Sequence, residues 1–240
     1  MLEQRITDLF PGEKNELLDL FHLPLIEEYY SFLLEKNEAG GFFSKNETPL
    51  ILDRHVLESL YHVYRIGKFK SVSRETKICD AGSGPGLPGF LFTSLKEYPQ
   101  VTLLDSQMRK LSHLEGFVKL KSLQRNLSFL YARIEDVKKK YDIVVMRSTI
   151  PYPWSIEVCS GIVAEGGYFV PFLGKKTVHL ELEKKFLNHF QFEIEEENIF
   201  PSLNFLGERS VKFLKKKENR KDSSSRPWSV IQKEIRKFHG

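Results

Sequence analysis

The stretch that most constrains this chain runs from Lys77 to Gly89: Lys-Ile-Cys-Asp-Ala-Gly-Ser-Gly-Pro-Gly-Leu-Pro-Gly. Its first residues, with Ile78 and Cys79 as the apolar part, read as the end of a short strand. Gly82, Gly84 and Gly86 then form a loop in which the backbone, free of Cβ atoms, can approach a ligand closely. Pro88 suits a first helical turn, and the pattern predicts a helix over 88–96. Strand, glycine loop and helix together indicate a nucleotide pocket. The spacing narrows which nucleotide. A dinucleotide fingerprint needs G-x-G-x-x-G, and counting from Gly82 the third glycine falls on Leu87. The Gly-Lys-Ser/Thr of a phosphate loop is also absent. Asp80, just before the loop, suits a cationic ligand better than a pyrophosphate. S-adenosylmethionine carries an α-amino group and a sulfonium, so the loop reads as a methyl-donor site.

A second acid supports this reading. Val101-Thr-Leu-Leu-Asp105 is a β-type run ending in an acid about 20 residues beyond the loop, where a ribose-binding carboxylate belongs in a βαβ unit. The competing role for Asp105 is to cap the next helix, over 107–120.

From Thr76 onward, strand and helix alternate. Strands are predicted at Thr76–Asp80, Val101–Asp105, Asn126–Tyr131, Tyr141–Met146 and Gly167–Pro171, with a final antiparallel pair at Phe190–Ile194 and Ser210–Leu214. Helices are predicted between them, around 88–96, 107–120, 154–163 and 176–188. Such alternation implies an α/β fold with a mostly parallel sheet that binds ligands at the carboxyl ends of its strands. Residues 1–38 read as helical, interrupted at Pro24 and ended by Gly40-Gly41, and a further helix is predicted from Leu50 to Ile66. On that helix Arg54 and Glu58, and His55 and Ser59, form i,i+4 pairs of an ordinary polar face. The expected division is a helical extension over 1–70, a catalytic domain over 71–214 and a basic tail over 215–240.

Of the 240 residues, 41% are hydrophobic, enough for a full α/β core with an extension. Only two cysteines occur. Cys79 and Cys159 are expected to be buried thiols, and no metal site is expected. Neither a signal peptide nor an apolar run of membrane length is evident, so a cytoplasmic protein with no membrane contact is expected. The net charge of +4 is unevenly placed: residues 209–240 hold eleven Lys/Arg and three Asp/Glu. That excess, with residues 215–227 read as a mobile polar segment, fits either a polyanionic partner or a solvated tail. At the predicted strand ends, Ile134 and Glu135 offer an apolar wall and a backbone donor for adenine. Arg133, Arg147 and Arg209 would converge on one mouth, as suits a phosphate-bearing substrate.

These stretches together resemble the bacterial RsmG (GidB) family, methyltransferases of a guanine N7 in small-subunit (16S) ribosomal RNA. The likeness is carried by Asp80-Ala-Gly-Ser-Gly-Pro-Gly-Leu-Pro-Gly89, Leu104-Asp105-Ser106, Arg54-His55 with Glu58-Ser59, Arg133-Ile134-Glu135, Tyr141-Asp142 through Arg147, and Gly207-Glu208-Arg209. The resemblance implies a class I S-adenosylmethionine-dependent methyltransferase fold, Rossmann-like, with a seven-stranded sheet and an N-terminal helical extension. It implies donor contacts from Gly82, Leu87, Ile134, Glu135 and Arg147, besides Asp80, Gly84, Gly86 and Asp105 read from the residues themselves. It places Arg133 and Arg209, with Arg147, at the RNA-facing mouth, in positioning roles that need no general base. The implied partner is ribosomal RNA or the small ribosomal subunit, and the expected oligomeric state is a monomer.

Some positions depart from the family pattern. Phe42-Phe-Ser-Lys-Asn-Glu47 stands for its Asn-Leu-Thr, Met146-Arg147-Ser148 for Ser-Arg-Ala, Leu173-Gly174 for Lys-Gly, though Lys175 and Lys176 follow, and Ser210 for a His. Two other functions compete: a methyltransferase of a small molecule or protein, and a non-catalytic RNA-binding or ribosome-assembly protein. Donor binding separates the last from the enzymes.

Overall fold

The apolar residues of the strands alternate between two faces, and this alternation builds two cores. On the fourth strand, Ile143 and Val145 point to one core while Val144 and Met146 point to the other. A strand buried on both faces belongs in the middle of a sheet covered by helices on each side. The computed structural model describes residues 1–39, 41–123, 126–174, 180–218 and 225–239. Its sheet comprises β1 (Lys77–Ala81), β2 (Gln100–Asp105), β3 (Leu127–Tyr131), β4 (Tyr141–Arg147), β5 (Val163–Leu173), β6 (Phe192–Ile199) and β7 (Ser210–Lys216). They lie in the order β3-β2-β1-β4-β5-β7-β6. Strands β1 to β5 are parallel, and β7 runs antiparallel between β5 and β6. This is the class I methyltransferase arrangement. The order reverses between β1 and β4, so a crevice opens at their carboxyl ends.

The helices are α1 (Leu2–Leu9), α2 (Lys14–Leu20), α3 (Leu23–Glu38), α4 (Glu58–Phe69), α5 (Gly89–Phe92), α6 (Met108–Leu120), α7 (Trp154–Ser160), α8 (Leu180–Phe190) and α9 (Trp228–His239). Helices α1 to α6 contribute to the first core, and α7 to α9 to the second. Pro24 sits in the first turn of α3, where its missing N–H costs nothing. The N-terminal extension backs the glycine loop directly. Tyr29 on α3 donates to the Pro85 carbonyl at 2.9 Å and packs on Phe90 with ring centroids 4.2 Å apart. Gly86, at φ +107°, is needed there: a Cβ would lie 2.3 Å from Leu114 Cδ2.

Several elements differ from the sequence expectation. The helix after the glycine loop stops at Phe92, because Thr93 and Ser94 turn their hydroxyls back onto the carbonyls of Phe90 and Leu91 at 2.6 Å. Leu95 then bridges to Phe21. Helix α7 ends at Ser160, three residues short, and Val163 already belongs to β5. Phe190 closes α8 rather than opening β6; Gln191, at φ +57°, makes the turn between them. The residues over 176–179, the first turn expected for α8, lie outside the described residues, as do Gly40, Lys175 and the centre of the 215–227 segment.

The helix expected over 50–66 is three elements: a 3-10 stretch Lys45–Leu50, a π-helical stretch Ile51–Leu57, and α4. The π-helix shifts the helical phase, so Arg54 and Glu58 do not pair.

The first residues of the segment read as mobile belong to the sheet. Lys215 and Lys216 are strand residues of β7. Lys215 pairs with Glu195 and Lys217 with Glu193. Lys216 is buried, donating to the Phe190 carbonyl at 2.7 Å, and burial pulls its pKa down to about 8. These lysines hold β7 against β6 and α8 and are not free cations. Further on, α9 packs through Ile231, 0% exposed, onto the second core.

Candidate active site

The crevice at the carboxyl ends of β1 to β4 is a cavity of about 430 Å³. The loop after β1 lines it with Gly82, Ser83, Gly84, Pro85 and Leu87; β2 adds Asp105; the segment after β3 adds Ala132, Arg133, Ile134 and Glu135; and β4 and its following loop add Arg147 to Ile150. Sequence reasoning placed most of these. Asp80 and Gly86 stand behind the wall instead. Asp80 is 0% exposed, and its Oδ2 accepts from Ser83 Oγ and from the Gly89 N–H, both at 2.8 Å. It therefore ties the two ends of the loop together. Its Oδ1 has no hydrogen-bond partner. Burial raises its pKa to about 6, against Ser83, Gly89 and Arg147, which favour the charged form.

Asp105 is tied to the backbone on both sides of it. Its Oδ1 accepts from the Gln107 N–H at the start of α6, and its Oδ2 accepts from the Gly84 N–H, each at 2.8 Å. The same carboxylate turns the chain ahead of α6, without capping that helix, and fixes the middle of the glycine loop. Gly84, at φ +56°, has open space where a Cβ would be, so its bare backbone faces the cavity. Gly82, at φ +77°, is crowded by Thr149, whose hydroxyl donates to the Gly82 carbonyl at 2.9 Å and joins the β1 and β4 loops.

Arg147 ends β4 and is held by the π-helical stretch. Its Nη1 donates to His55 Nδ1 at 3.1 Å and to the Arg54 carbonyl at 3.4 Å, and it stands 3.8 Å from Glu58 Oε2. Because the guanidinium can only donate, His55 accepts at Nδ1 and carries its proton on Nε2, facing Glu47 at 2.9 Å. Burial, then Arg147, pushes the His55 pKa down to about 4, so it stays neutral near pH 7. Phe43 stacks on the His55 ring, with centroids 4.1 Å apart. Glu47 also pairs with Arg54 at 2.9 Å. The Phe42–Glu47 segment, which departs from the family pattern, thus supplies two supports of His55.

Glu58 bridges two arginines, with Arg209 Nε 2.5 Å from its Oε1. Arg133 and Arg147 line the cavity, whereas Arg209 lies outside its wall and joins Arg147 only through Glu58. The three arginines expected at one mouth are therefore two, plus one bound behind. Of the other departures, Met146 is core, and Ser210 is buried with no hydrogen-bond partner for its hydroxyl.

One turn along α4, His62 lies fully buried against Phe172, centroids 4.0 Å apart, with Nδ1 2.7 Å from the Glu58 carbonyl. Burial lowers its pKa to about 4. The unfolded chain therefore takes up a proton near pH 6.5 that the folded chain refuses until about pH 4. The neutral ring's contribution is fully present above pH 6.5 and is lost as pH falls toward 4, about 3 kcal/mol in all. Asp80, with its raised pKa, works in the opposite sense. Denaturant unfolding at pH 5 and pH 7 should thus show a pH dependence shallower by about one proton in His62→Phe than in wild type. Equal slopes would contradict the neutral buried ring.

Sequence reasoning missed Trp228, Thr149 and Lys110 in the cavity wall. Trp228, Ile231 and Ile235 recur at helical spacing, a signal for a packed helix that the surrounding charge obscured.

The family model for GidB, rRNA small subunit methyltransferase G, matches residues 22–205. The chain belongs to the GidB family. A Ribosomal RNA small subunit methyltransferase G of Leptospira borgpetersenii serovar Hardjo-bovis is 46% identical over 239 residues, covering 100% of this chain and 94% of its own. The protein of that name from Leptospira biflexa serovar Patoc is 41% identical, covering 98% and 95%. Among solved structures, the [4+2]-cyclase SpnF superposes with a TM-score of 0.54 at 9% identity, covering 75% of this chain and 88% of its own, a likeness of fold alone. Within the GidB match fall the glycine loop, Asp105, the π-helical stretch and Arg147, whereas Arg209 and α9 lie beyond it.

Proposed function

We propose that this GidB-family chain transfers the methyl group of S-adenosylmethionine to N7 of a guanine in small-subunit ribosomal RNA. The observation that carries this reading is the cavity between the Asp105-clamped glycine loop and the buried Arg147. The wall suits the donor. Asp80 Oδ1 is a buried acceptor without a partner beneath the loop, Gly84 leaves its backbone open, and Asp105 and Glu135 offer carboxylates at the rim. By this reading Gly82, Gly84, Leu87, Asp105, Ile134, Glu135 and Arg147 hold the donor, with Asp80 and Gly86 shaping the loop from behind.

When bound, S-adenosylmethionine supplies an electrophilic methyl group on a sulfonium. The protein has to position an acceptor. Guanine N7 bears an unprotonated lone pair, so no side chain needs to take a proton. Cys79 and Cys159, the only cysteines, are buried and unpaired, with thiol pKa values pushed up by burial, and neither lines the cavity. A cysteine-nucleophile route to a carbon acceptor therefore has no group to use. Arg147, fixed by His55 and Glu58, orients the base or its phosphate, and Arg133 receives RNA at the rim.

Within the basic tail, the exposed Lys233, Arg236 and Lys237 on α9 supply general RNA affinity. Neutralising the three should lower the log–log salt slope of binding by about 2 while sparing the saturated rate, at about 0.7 per contact. An unchanged slope would remove α9 from the RNA-binding surface. Among the described residues, no helix is long and apolar enough to cross a membrane. A monomer acting in the cytoplasm on the small subunit or its RNA fits the proposed substrate.

Asp105→Ala tests the donor half. Loss of a charge-assisted bond to the ribose should cost about 1.5–3 kcal/mol of donor affinity by calorimetry. Wild-type affinity in a folded variant would reject the ribose role.

A further inference from the structure

The donor cavity has a polar end, at the glycine loop and Asp105, and an apolar end. The apolar end is lined by Ile134, a member of the second core cluster, and by Ala132, Ile150 and Trp228, which pack against that cluster. Three of these come from the segments after β3 and β4. Trp228 comes from the far C-terminus, beyond the GidB match. Resting on the donor reading above, we propose that Trp228 is the adenine-covering wall of the donor site and that residues 225–239 are a clasp that holds it there.

The clasp is visible in its anchors. Glu157 on α7 is 1% exposed, and it accepts from the Arg226 backbone N–H at 2.9 Å and from the Arg226 guanidinium at 2.8 and 2.7 Å. The same guanidinium reaches Glu234 on α9 at 2.8 Å. A buried carboxylate thus fixes the chain two residues before Trp228, and Arg226 ties that point to the helix that follows. Ile231, one turn beyond, is fully buried. Trp228 is fixed from both sides while remaining half-buried at the cavity. The neighbouring wall residues are small or aliphatic, and a purine presents a flat π-face that an indole covers with little loss of conformational entropy. The donor site of this chain is therefore incomplete without α9.

The sequence has two tryptophans, and the other, Trp154, is 1% exposed in the core. Emission from the full-length protein can therefore report on Trp228. The probe is S-adenosylhomocysteine, followed by calorimetry and by tryptophan fluorescence. Trp228→Ala should weaken binding about tenfold or more, the loss expected for one base–aromatic stack. Trp228→Phe should bind within about threefold of wild type yet lose the ligand-induced change in emission. The phenylalanine variant keeps the test readable even where the alanine variant does not fold. Wild-type affinity in folded Trp228→Ala, or an undiminished emission change in Trp228→Phe, would overturn the assignment while leaving the donor reading intact. Failure of the wild-type protein to bind the probe would overturn both.

Discussion

Glu58→Ala should cost the protein about 3–5 kcal/mol of stability, the loss expected when one partner of a buried ion pair is removed. The carboxylate is 9% exposed and lies between the guanidiniums of Arg147 and Arg209, each 13% exposed. Without it, two like charges share a buried region with no counter-charge between them. For a chain of this size, the midpoint should fall on the order of 10 °C. Glu58→Gln, which keeps one acceptor oxygen, should lose less. Arg209→Ala should also lose less, because Arg147 and Glu58 still face each other. A Glu58→Ala variant that melts with wild type would show that the bridge contributes nothing net.

The second large effect is kinetic. Arg147→Ala should lower the rate about 10²–10³-fold with both donor and RNA saturating, the usual cost of deleting one preorganised electrostatic contact in an active site. Its fold should survive better than that of Glu58→Ala, since Glu58 keeps Arg209 at 2.5 Å. Arg147→Lys should not restore the rate. The guanidinium meets His55 Nδ1, the Arg54 carbonyl and Glu58 through Nη1 alone, which leaves its other N–H donors for the acceptor, and one ammonium on a flexible stem cannot serve both sides. A saturated rate within a few fold of wild type in Arg147→Ala would place the acceptor elsewhere.

Local signals made the glycine-loop side of the cavity legible. The glycine loop, the acid ending β2 and the strand–helix alternation each sit within a few residues of the chemistry they imply. For this reason the sheet, the glycine loop and the place of Asp105 at the cavity could be read from residues alone. The Arg147 side depends on contacts across long separations. Arg54, His55, Glu58 and Ser59 read as a polar helix face because their spacing is helical. A π-helical stretch changes that phase, and the chain then brings Arg54, His55 and Glu58 to Arg147, about 90 residues later, and Glu58 to Arg209 as well. No local pattern announces a π-helix. The C-terminus misled for a different reason. A lysine in a charge run reads as solvated, yet Lys216 finds the end of α8 and Trp228 finds the cavity only once the sheet is assembled.

The most direct test of the proposed activity is in vitro methylation followed by nucleoside mass spectrometry. Small-subunit ribosomal RNA and intact small subunits, both prepared from cells lacking this protein, would be incubated with the purified chain and isotopically labelled S-adenosylmethionine. The proposed function predicts labelled N7-methylguanosine at a single site in at least one of the two substrates, formed far more slowly by Arg147→Ala. Label on any other base, or no label in either substrate from a protein that binds S-adenosylhomocysteine, would contradict it.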